Sequence, residues 1–263
     1  MKAKVNGIEI SYELHGKEGA PWLTLSHSLA CSVRMWNPQI AAFKDRYRIL
    51  AFDTRGHGAS AAPKGPYTLE ALADDLKGLL DQLGIQRTHF AGLSMGGMIG
   101  ETFALKYPGV FASLVLADTT SRVPDEAAPL WAERIRTAES QGMQPLVQPT
   151  LERWFTEPFR QAHPEVVGRV GALIASTPVT GYVGCSQAIP RINLTARLKE
   201  IKCPVLVICG EQDPATPPAM AREIHDHAPG SKLVMIPQAA HLSNLEQPQA
   251  FTQAMEQFLA GVK

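Results

Sequence analysis

The sequence predicts an α/β protein with a mostly parallel, doubly wound sheet and an inserted helical cap. Short apolar runs alternate with helical patterns along most of the 263 residues, and such alternation is typical of a parallel sheet with helices on both faces. The alternation stops between residues 124 and 195, which have helical stretches and no clear strand. We therefore expect a core formed by residues 1–123 and 196–263, with residues 124–195 as the cap.

The first predicted elements are a hairpin and two buried strands. Lys2–Val5 and Ile8–Glu13 flank Asn6-Gly7, a dipeptide that favours a tight turn between antiparallel strands. Trp22–Ser26 and Arg48–Phe52 are short apolar runs, as expected of strands that are covered on both faces.

A helix and four further strands follow. Leucines recur at helical spacing over Leu69–Leu83, with Thr68 as the N-cap and Gly84 as the stop signal. The remaining short apolar runs predict strands at His89–Leu93, Ser113–Ala117, Pro204–Gly210 and Lys232–Ile236.

Residues 124–195 differ from the rest of the chain in composition. Most of the later aromatic side chains lie here, and proline recurs throughout. The prolines are Pro124, Pro129, Pro145, Pro149, Pro158, Pro164 and Pro178. Helical stretches without strands, placed between two strands of the core, predict a helical cap over the active site.

Charge balance and hydropathy exclude several classes of partner. Lys plus Arg and Asp plus Glu number 25 each, and no basic run of five residues occurs, so we expect neither nucleic acid nor an anionic membrane as a partner. No apolar stretch reaches the roughly 18 residues of a membrane span. Met1–Lys4 leads directly into a strand rather than into a signal peptide, which predicts a cytoplasmic protein.

The cysteines predict neither a metal site nor a disulfide. Cys31, Cys185, Cys203 and Cys209 have no metal-like spacing. Cys203 and Cys209 belong to one strand region, about 20 Å apart along extended chain, and cannot bridge. We expect buried free thiols.

A G-x-S-x-G pattern at residues 92–96 contains the predicted nucleophile, Ser94. A strand precedes it and a helical pattern follows it, so Ser94 lies on a sharp turn that exposes its hydroxyl. Gly92 and Gly96 allow the strand and the helix to approach closely around that turn. The first N–H groups of the helix point at the same place, and the N–H of Met95 is therefore available to a developing oxyanion.

A serine nucleophile needs a base, and the base needs an orienting acid. In this arrangement the acid follows the serine in the chain, and the histidine follows the acid. Asp213 lies just beyond the strand Pro204–Gly210, at the edge where catalytic groups of open α/β sheets collect. His241 lies in the loop after Lys232–Ile236. Order and position predict Asp213 as the acid and His241 as the base.

Other acids and histidines compete for these roles. Asp118 follows the strand Ser113–Ala117, where some proteins of this architecture place their acid, and Glu211 follows the later strand. The Gly-x-x-Asp turn favours Asp213 over both. His57 comes too early in the chain and lies between two glycines, which indicates a role in shaping a loop beside the active site. Five further histidines lie in less suitable contexts: His15, His89, His163, His225 and His227.

The loop at residues 26–36, after the first parallel strand, is the other feature with chemical content. In this architecture that loop donates the second N–H to the oxyanion. Leu29, two residues after His27, is the predicted donor.

These motifs together resemble the α/β-hydrolase superfamily along nearly the whole chain, including a D-x-R-G-H-G-x-S loop at residues 53–60. Within the superfamily the chain is most similar to the 3-oxoadipate enol-lactonases. The residues that carry this similarity are Leu25–Leu29, Met35-Trp36, Gly65–Thr68, Gly92–Met98, Arg153–Thr156, Gly181-Tyr182, Cys185 and Ala188-Ile189. The family usually has Asn at the position of His27 and Gly at that of Ala30.

The resemblance implies hydrolysis of a small ester or lactone without a cofactor. Ser94 would attack the carbonyl carbon, and His241 would take its proton while Asp213 orients the ring. The N–H groups of Leu29 and Met95 would hold the oxyanion, and water activated by the histidine would release the acid.

The resemblance also implies substrate contacts from the cap. The free carboxylate of an enol-lactone needs a donor, and Arg153 is the candidate, with a surface salt bridge as its other interpretation. Trp154 would form a wall of the pocket or pack in the core.

Other functions on the same fold stay open. A general carboxylesterase would use the same three residues, and a C–C bond hydrolase would add a vinylogous diketone substrate. A ligand-binding receptor would not require Ser, His and Asp together. Ser94 excludes a halide-releasing enzyme, which needs a carboxylate at that position. The sequence leaves open the acyl group, the leaving group and a homo-oligomeric assembly.

Overall fold

The computed structural model describes residues 1–262 and contains an eight-stranded sheet. The strands are β1 (Lys2–Val5), β2 (Ile8–His15), β3 (Trp22–Ser26), β4 (Arg48–Phe52), β5 (Thr88–Leu93), β6 (Phe111–Ala117), β7 (Val205–Gly210) and β8 (Lys232–Ile236). Their spatial order is β1-β2-β4-β3-β5-β6-β7-β8. The strand β2 pairs antiparallel with β1 and with β4, and every other pairing between these eight strands is parallel. The predicted mostly parallel sheet is confirmed.

The predicted hairpin is confirmed, but its second strand is longer than the sequence pattern indicates. Asn6 and Gly7 have φ angles of 47° and 81°, which is the left-handed backbone that this turn needs. Beyond the predicted end at Glu13, β2 continues because Leu14 and His15 pair with β4. Backbone pairing with a neighbouring strand therefore extends β2 past its apolar alternation.

Within residues 1–262, eleven α-helices accompany the sheet. They are α1 (Asn37–Phe43), α2 (Leu69–Gln82), α3 (Met95–Lys106), α4 (Ala128–Gln141), α5 (Gln144–Trp154), α6 (Glu157–Ala162), α7 (Pro164–Ser176), α8 (Val179–Ala188), α9 (Pro218–His227), α10 (Ser243–Glu246) and α11 (Pro248–Ala260). The predicted cap of α2 is confirmed, since the Thr68 hydroxyl accepts a hydrogen bond from the Ala71 N–H at 3.1 Å. The helix ends one residue before the predicted end.

The helices α4 to α8 form an insertion between β6 and β7. Its two ends meet at an antiparallel bridge between Arg122 and Asn193. Beside the bridge the Leu194 N–H donates to the Ser121 carbonyl at 2.7 Å, and the hydroxyls of Ser121 and Thr195 lie 2.7 Å apart. Entry and exit of the chain are therefore fastened together where the insertion leaves the sheet.

The insertion contacts the core at two glycines. A Cβ on Gly181 would lie 2.0 Å from the Gly56 carbonyl oxygen, and one on Gly184 would lie 2.7 Å from the Tyr67 ring. Real side chains cannot approach so closely, so α8 needs glycine at both positions to pack on the core.

No single helix among residues 1–262 has both the length and the apolar character of a membrane span. The segments Pro164–Ser176 and Val179–Arg191 have sufficient length and apolar character only when taken together, and a bend of 92° separates them.

One buried acidic side chain in the core has no partner. Glu101 on α3 is 0% exposed, and neither carboxyl oxygen accepts a hydrogen bond within the described residues. Burial raises the pKa of Glu101 well above its usual value. The native protein therefore keeps a proton on Glu101 that the unfolded chain loses above its ordinary pKa.

This difference predicts how Glu101→Gln changes stability with pH. Because the raised pKa belongs to the folded state, the ionisation of Glu101 does not reduce the wild-type free energy of unfolding below about pH 4.3. Above that pH the unfolded chain loses the proton first, and the free energy of unfolding falls by about 1.4 kcal/mol per pH unit. Glutamine cannot ionise, so the free energy of unfolding of the variant in urea should increase relative to that of wild type as the pH rises from acidic to neutral. Glu139→Gln on the exposed side of α4 is the control. A difference between Glu101→Gln and wild type that does not change with pH would contradict the prediction.

Candidate active site

Ser94 lies between β5 and α3 in a strained backbone conformation. Its φ and ψ are 55° and −117°, a region that a non-glycine residue adopts at a cost of about 1–3 kcal/mol. A Cβ on Gly92 would lie 2.2 Å from the Gly96 carbonyl oxygen, and one on Gly96 would lie 2.2 Å from that of Ser26. Only glycine fits at both places, which explains why the turn can be so tight.

Two hydrogen bonds hold the strained turn from the neighbouring strand end. The Ser94 N–H donates to the Ala117 carbonyl at 2.9 Å. The Thr119 hydroxyl donates to the Ser94 carbonyl at 2.7 Å. The backbone of Ser94 is thereby fixed, while its side chain remains half-buried at the surface of a pocket.

Asp213 lies in the turn after β7, with its side chain 0% exposed. One carboxyl oxygen accepts from the N–H groups of Ala215 and Thr216, at 2.7 and 3.0 Å. The other accepts from the Thr216 hydroxyl at 2.7 Å and lies 2.8 Å from Nδ1 of His241. All of these donors favour the ionised carboxylate.

The balance of forces on Asp213 keeps it charged. Burial alone would raise its pKa, but the nearby His241 ring and the hydrogen bonds from Thr216 outweigh burial and hold the pKa below the usual value. A buried carboxylate next to an imidazole orients the ring and stabilises its protonated form.

His241 occupies a loop after β8 that is fastened on both sides. The Gln212 N–H donates to the Ala239 carbonyl at 2.9 Å, and the Leu242 N–H donates to the Trp154 carbonyl at 3.1 Å. The Ala240 N–H also donates to the Glu246 carboxylate. The ring of Trp154 lies 5.9 Å from that of His241, centroid to centroid.

Most of the predicted site residues line one cavity of about 350 Å³. These are Leu29, Ser94, Arg153, Trp154 and His241. Asp213 is not among the lining residues, and its carboxylate lies 2.8 Å from Nδ1 of His241. Ser94 and His241 line the same cavity, but within residues 1–262 no hydrogen bond joins the Ser94 hydroxyl to the His241 ring.

Two amide N–H groups in this region lack acceptors. Within the described chain neither Leu29 nor Met95 donates a backbone hydrogen bond. The Ala30 N–H is occupied, because it donates to Nε2 of His57 at 2.9 Å. The N–H groups of Leu29 and Met95 are therefore free within the described residues, and their role as oxyanion donors stays a prediction.

The competing acid Asp118 differs from Asp213 in the direction of its pKa shift. It is fully buried and accepts from the Ser243 hydroxyl and the Gly210 N–H, at 2.5 and 2.8 Å. Burial and the charge of Asp213 raise the pKa of Asp118 well above its usual value. Of these two neighbouring carboxyls, Asp213 is therefore the charged one.

The other competitors lie outside the cavity. Glu211 is exposed, and His89 shares a hydrogen bond with Ser113 on the sheet. His57 is buried between two loops, beside rather than in the pocket. The remaining competing histidines do not line this cavity: His15, His163, His225 and His227.

Asp118, Cys209 and Asp213 could together present ligand atoms to a metal ion, since these atoms lie within 4.8 Å of one another. Each is already engaged, however. Both carboxyls accept the hydrogen bonds described above, and the Cys209 thiol donates to the Gly210 carbonyl at 3.3 Å. Burial raises the pKa of Cys209, which favours the thiol over the thiolate that metals bind.

The cap supplies a second arginine that sequence reasoning missed. Arg134 on α4 lines the cavity together with Arg153 on α5. Its Nε is buried and has no hydrogen-bond acceptor within residues 1–262, and no carboxylate in that range forms a salt bridge with either arginine. In the sequence, Arg134 is indistinguishable from the charged residues around it on α4.

The two arginines raise the positive potential of the cavity. Burial lowers the pKa of Arg153 to about 10, with a further contribution from the charge of Arg134. Burial also lowers the pKa of Arg134. Both shifts reflect cations that are partly desolvated, and both remain charged at neutral pH. An anion in the cavity would offset the free-energy cost of partly burying these two charges.

Ser28 is a further cavity residue without an assigned role. Its hydroxyl is buried and has no hydrogen-bond partner among the described residues. The sequence contained it only as part of the segment that resembles the enol-lactonases.

Comparison with known proteins agrees with this architecture. A family profile described as alpha/beta hydrolase fold matches residues 21–248. The chain belongs to the α/β hydrolase fold family. The predicted resemblance to this superfamily and to enol-lactonases is thereby confirmed, and the protein is a hydrolase.

Three relatives of this α/β hydrolase are especially similar. The 3-oxoadipate enol-lactonase 2 of Acinetobacter baylyi is 38% identical over 95% of this chain and 92% of its own. The crystal structure of the enol-lactonase from Burkholderia xenovorans LB400 matches with a TM-score of 0.96 and 38% identity, over 99% of this chain and 100% of that one. A thermophilic esterase from Thermogutta terrifontis, solved with malate bound, matches with a TM-score of 0.93 and 32% identity, over 100% and 98% of the two chains.

Proposed function

We propose that this hydrolase cleaves a carboxylic ester or lactone through Ser94, His241 and Asp213, and that its preferred substrate is 3-oxoadipate enol-lactone. The observation that supports this substrate is the pair Arg134 and Arg153, which line the same cavity as Ser94 and form no salt bridge with an acidic side chain within residues 1–262. The relatives named as enol-lactonases support the same choice. The proposal includes a cytoplasmic role in the breakdown of aromatic compounds.

In the proposed first step, the Ser94 oxygen attacks the lactone carbonyl carbon. Since Nδ1 of His241 faces Asp213 at 2.8 Å, Nε2 is left to take the serine proton. The carboxylate of Asp213 then stabilises the imidazolium. Ring opening gives an acyl-enzyme and an enol, which receives its proton from His241.

The negative charge of the tetrahedral intermediate falls on the former carbonyl oxygen. The free N–H groups of Leu29 and Met95 are the donors proposed to hold it. Donors fixed in advance around such an oxygen provide one of the largest contributions to acyl-transfer catalysis.

In the second step, water replaces the leaving group. His241 takes a proton from that water, which attacks the acyl carbon, and then passes this proton to the Ser94 oxygen as the bond between that oxygen and the acyl carbon breaks and the acid departs. No step needs a metal or an organic cofactor.

We further propose that residues 124–195 act as a cap that selects the substrate, over a core of residues 1–123 and 196–263. Arg134 and Arg153 both come from this insertion, whereas Ser94 comes from the core. Trp154 is buried, lines the cavity and lies beside His241, so it would form a wall of the substrate pocket.

Arginine substitutions test the proposed substrate. Arg153→Ala and Arg134→Ala should each raise KM for the enol-lactone by about 10- to 150-fold, because a charge-assisted hydrogen bond in a partly desolvated site contributes about 1.5–3 kcal/mol. Hydrolysis of a neutral p-nitrophenyl ester should change little. The measurement is kcat/KM for both substrates in each variant.

The matched control is Arg136→Ala, an exposed arginine on the same helix as Arg134. It should leave both substrates unaffected. Equal losses on lactone and neutral ester in the Arg134 and Arg153 variants would assign the arginines a structural role and remove the support for a carboxylated substrate.

A general carboxylesterase is the second candidate, and the apolar side of the cavity favours it. Leu130, Trp131 and Met220 line the cavity together with the arginines, and such walls suit a larger apolar group. Rapid turnover of p-nitrophenyl esters by wild type, with none of the enol-lactone, would select this alternative.

A further inference from the structure

Two loops beside Ser94 hold each other through a pair of histidines. We call residues 27–32, after β3, the oxyanion loop and residues 53–60, after β4, the support loop. The Thr54 N–H of the support loop donates to Nε2 of His27 at 2.9 Å. The Ala30 N–H of the oxyanion loop donates to Nε2 of His57 at 2.9 Å. Each loop therefore provides one imidazole acceptor and one amide donor.

The second nitrogen of each ring also has a fixed partner. Nδ1 of His27 lies 2.7 Å from the Ser28 carbonyl, and Nδ1 of His57 lies 3.2 Å from the Arg55 carbonyl. A carbonyl can only accept, so both rings carry their proton on Nδ1 and leave Nε2 free to accept from the opposite loop. The rings are fully buried, 5.2 Å apart between centroids.

The hydrogen bond to His57 acts at a strained residue. Ala30 has a φ of 56°, in the left-handed region where a residue with a Cβ is disfavoured. It directly follows Leu29, whose free N–H is the proposed oxyanion donor. The amide that is fastened to His57 is thus the neighbour of the amide that must point at the reacting oxygen.

We propose that His27 and His57 form a crossed brace that positions the Leu29 N–H for catalysis, so that both are positioning residues of the reaction. This inference rests on the proposed function, because it needs the Leu29 amide to hold the oxyanion.

The brace works only while both rings are neutral, since an imidazolium has no free acceptor. Burial lowers the pKa of His27 to about 4. Burial and the charge of His27 lower that of His57 to about 3, against the opposing effect of Asp53. Asp53 is itself engaged with the Val33 and Ala59 N–H groups, at 3.0 and 2.9 Å.

The support loop also contacts the cap. Gly56, next to His57, lies so close to Gly181 on α8 that a Cβ on Gly56 would lie 2.4 Å from the Gly181 Cα. The loop that braces the proposed oxyanion donor is therefore held in turn by the cap.

Substitution of His57 tests the brace in the full chain. Deleting an oxyanion donor costs about 10²–10³-fold in kcat, so His57→Leu, which only releases the loop, should lower kcat for the lactone by about 10- to 100-fold. KM should stay within about twofold, because the effect is confined to the transition state. His57→Gln, which retains a side-chain acceptor, should recover most of the loss, and His27→Leu against His27→Asn should behave in parallel.

Two further measurements separate positioning from loss of structure. A trifluoromethyl ketone, which forms a tetrahedral adduct on a serine nucleophile, should lose affinity for His57→Leu by the same factor as kcat/KM. In wild type, ¹⁵N spectra of the imidazoles should show His27 and His57 neutral and protonated on Nδ1 down to about pH 5. The control is His227→Leu, an exposed histidine on α9.

The outcomes distinguish this inference from the proposed function. An unchanged kcat in His57→Leu, or a wild-type ring that titrates near its ordinary pKa of about 6.5, overturns the brace. The brace is also overturned if His57→Leu and His57→Gln show the same rise in KM and the same fall in kcat. Full activity of Ser94→Ala would instead remove the proposed function, whatever the spectra of the two histidines show.

Discussion

Ser94→Ala is expected to lower kcat for ester or lactone hydrolysis by about 10³-fold or more, because nucleophile and base act as one unit. The loss should appear in kcat for every substrate, since the same acyl transfer serves all of them. Activity is measured by hydrolysis of the enol-lactone and of a p-nitrophenyl ester, with circular dichroism as the control for folding. A folded Ser94→Ala protein with wild-type kcat would remove the proposed mechanism.

A second variant at the same position tests the strain of the turn. At a φ of 55° alanine retains the steric conflict of its Cβ, whereas glycine does not. Ser94→Gly should therefore be as inactive as Ser94→Ala but more stable, by about 1 kcal/mol in urea unfolding. Equal stability of the two variants would show that the turn stores no strain.

Asp213→Asn should lower kcat by roughly 10⁴-fold, the loss typical of a triad that loses its orienting carboxylate. The amide oxygen of asparagine would accept from the N–H groups of Ala215 and Thr216, which leaves its NH2 facing Nδ1 of His241. Such an uncharged donor neither keeps the ring proton on Nδ1 nor stabilises the imidazolium. Since Asp213 lies 2.8 Å from Nδ1 of His241, no other carboxyl can replace it without rearrangement. KM should change little.

Asp118→Asn is the matched control for this prediction, because it changes the neighbouring buried carboxyl in the same way. Burial and the charge of Asp213 raise the pKa of Asp118 and so favour its neutral form, which asparagine resembles. The amide oxygen can accept from the Gly210 N–H, and the amide nitrogen can donate to the Ser243 hydroxyl, which then acts as the acceptor. Near-normal kcat is therefore expected. An inactive Asp118→Asn beside an active Asp213→Asn would reverse the assignment of the acid.

Most strands and the helix α2 could be predicted because their signals are local. Asn6-Gly7 specifies its hairpin, and Thr68 caps its helix, through interactions within a few residues. The ends of strands were less accurate, as at β2, where pairing with β4 adds residues that no local pattern marks. Similarly, β7 begins at Val205 rather than at Pro204, which lacks the N–H that a central strand would use.

The proposed catalytic residues could be predicted from the sequence for a related reason. Ser94, Asp213 and His241 each follow a strand, and the carboxyl ends of parallel strands meet at one edge of the sheet. Chain order and strand position thus place the three side chains together without knowledge of the packing. The cap offers no such rule, so Arg153 was selected through resemblance, and Arg134 was missed.

The sequence by itself determined the mostly parallel sheet, the helical insertion and the three residues proposed for catalysis, since these depend on local patterns and on the geometry of parallel strands. Only the tertiary structure decided which acid is charged and which amides are free. Asp118 and Asp213 both follow a strand, but burial raises the pKa of the first, while His241 and Thr216 hold the pKa of the second below its usual value. Likewise, the Ala30 amide is occupied and the Leu29 amide is free because His57, from another loop, reaches the former. Charge state and hydrogen-bond occupancy depend on groups that are distant in sequence and adjacent in space.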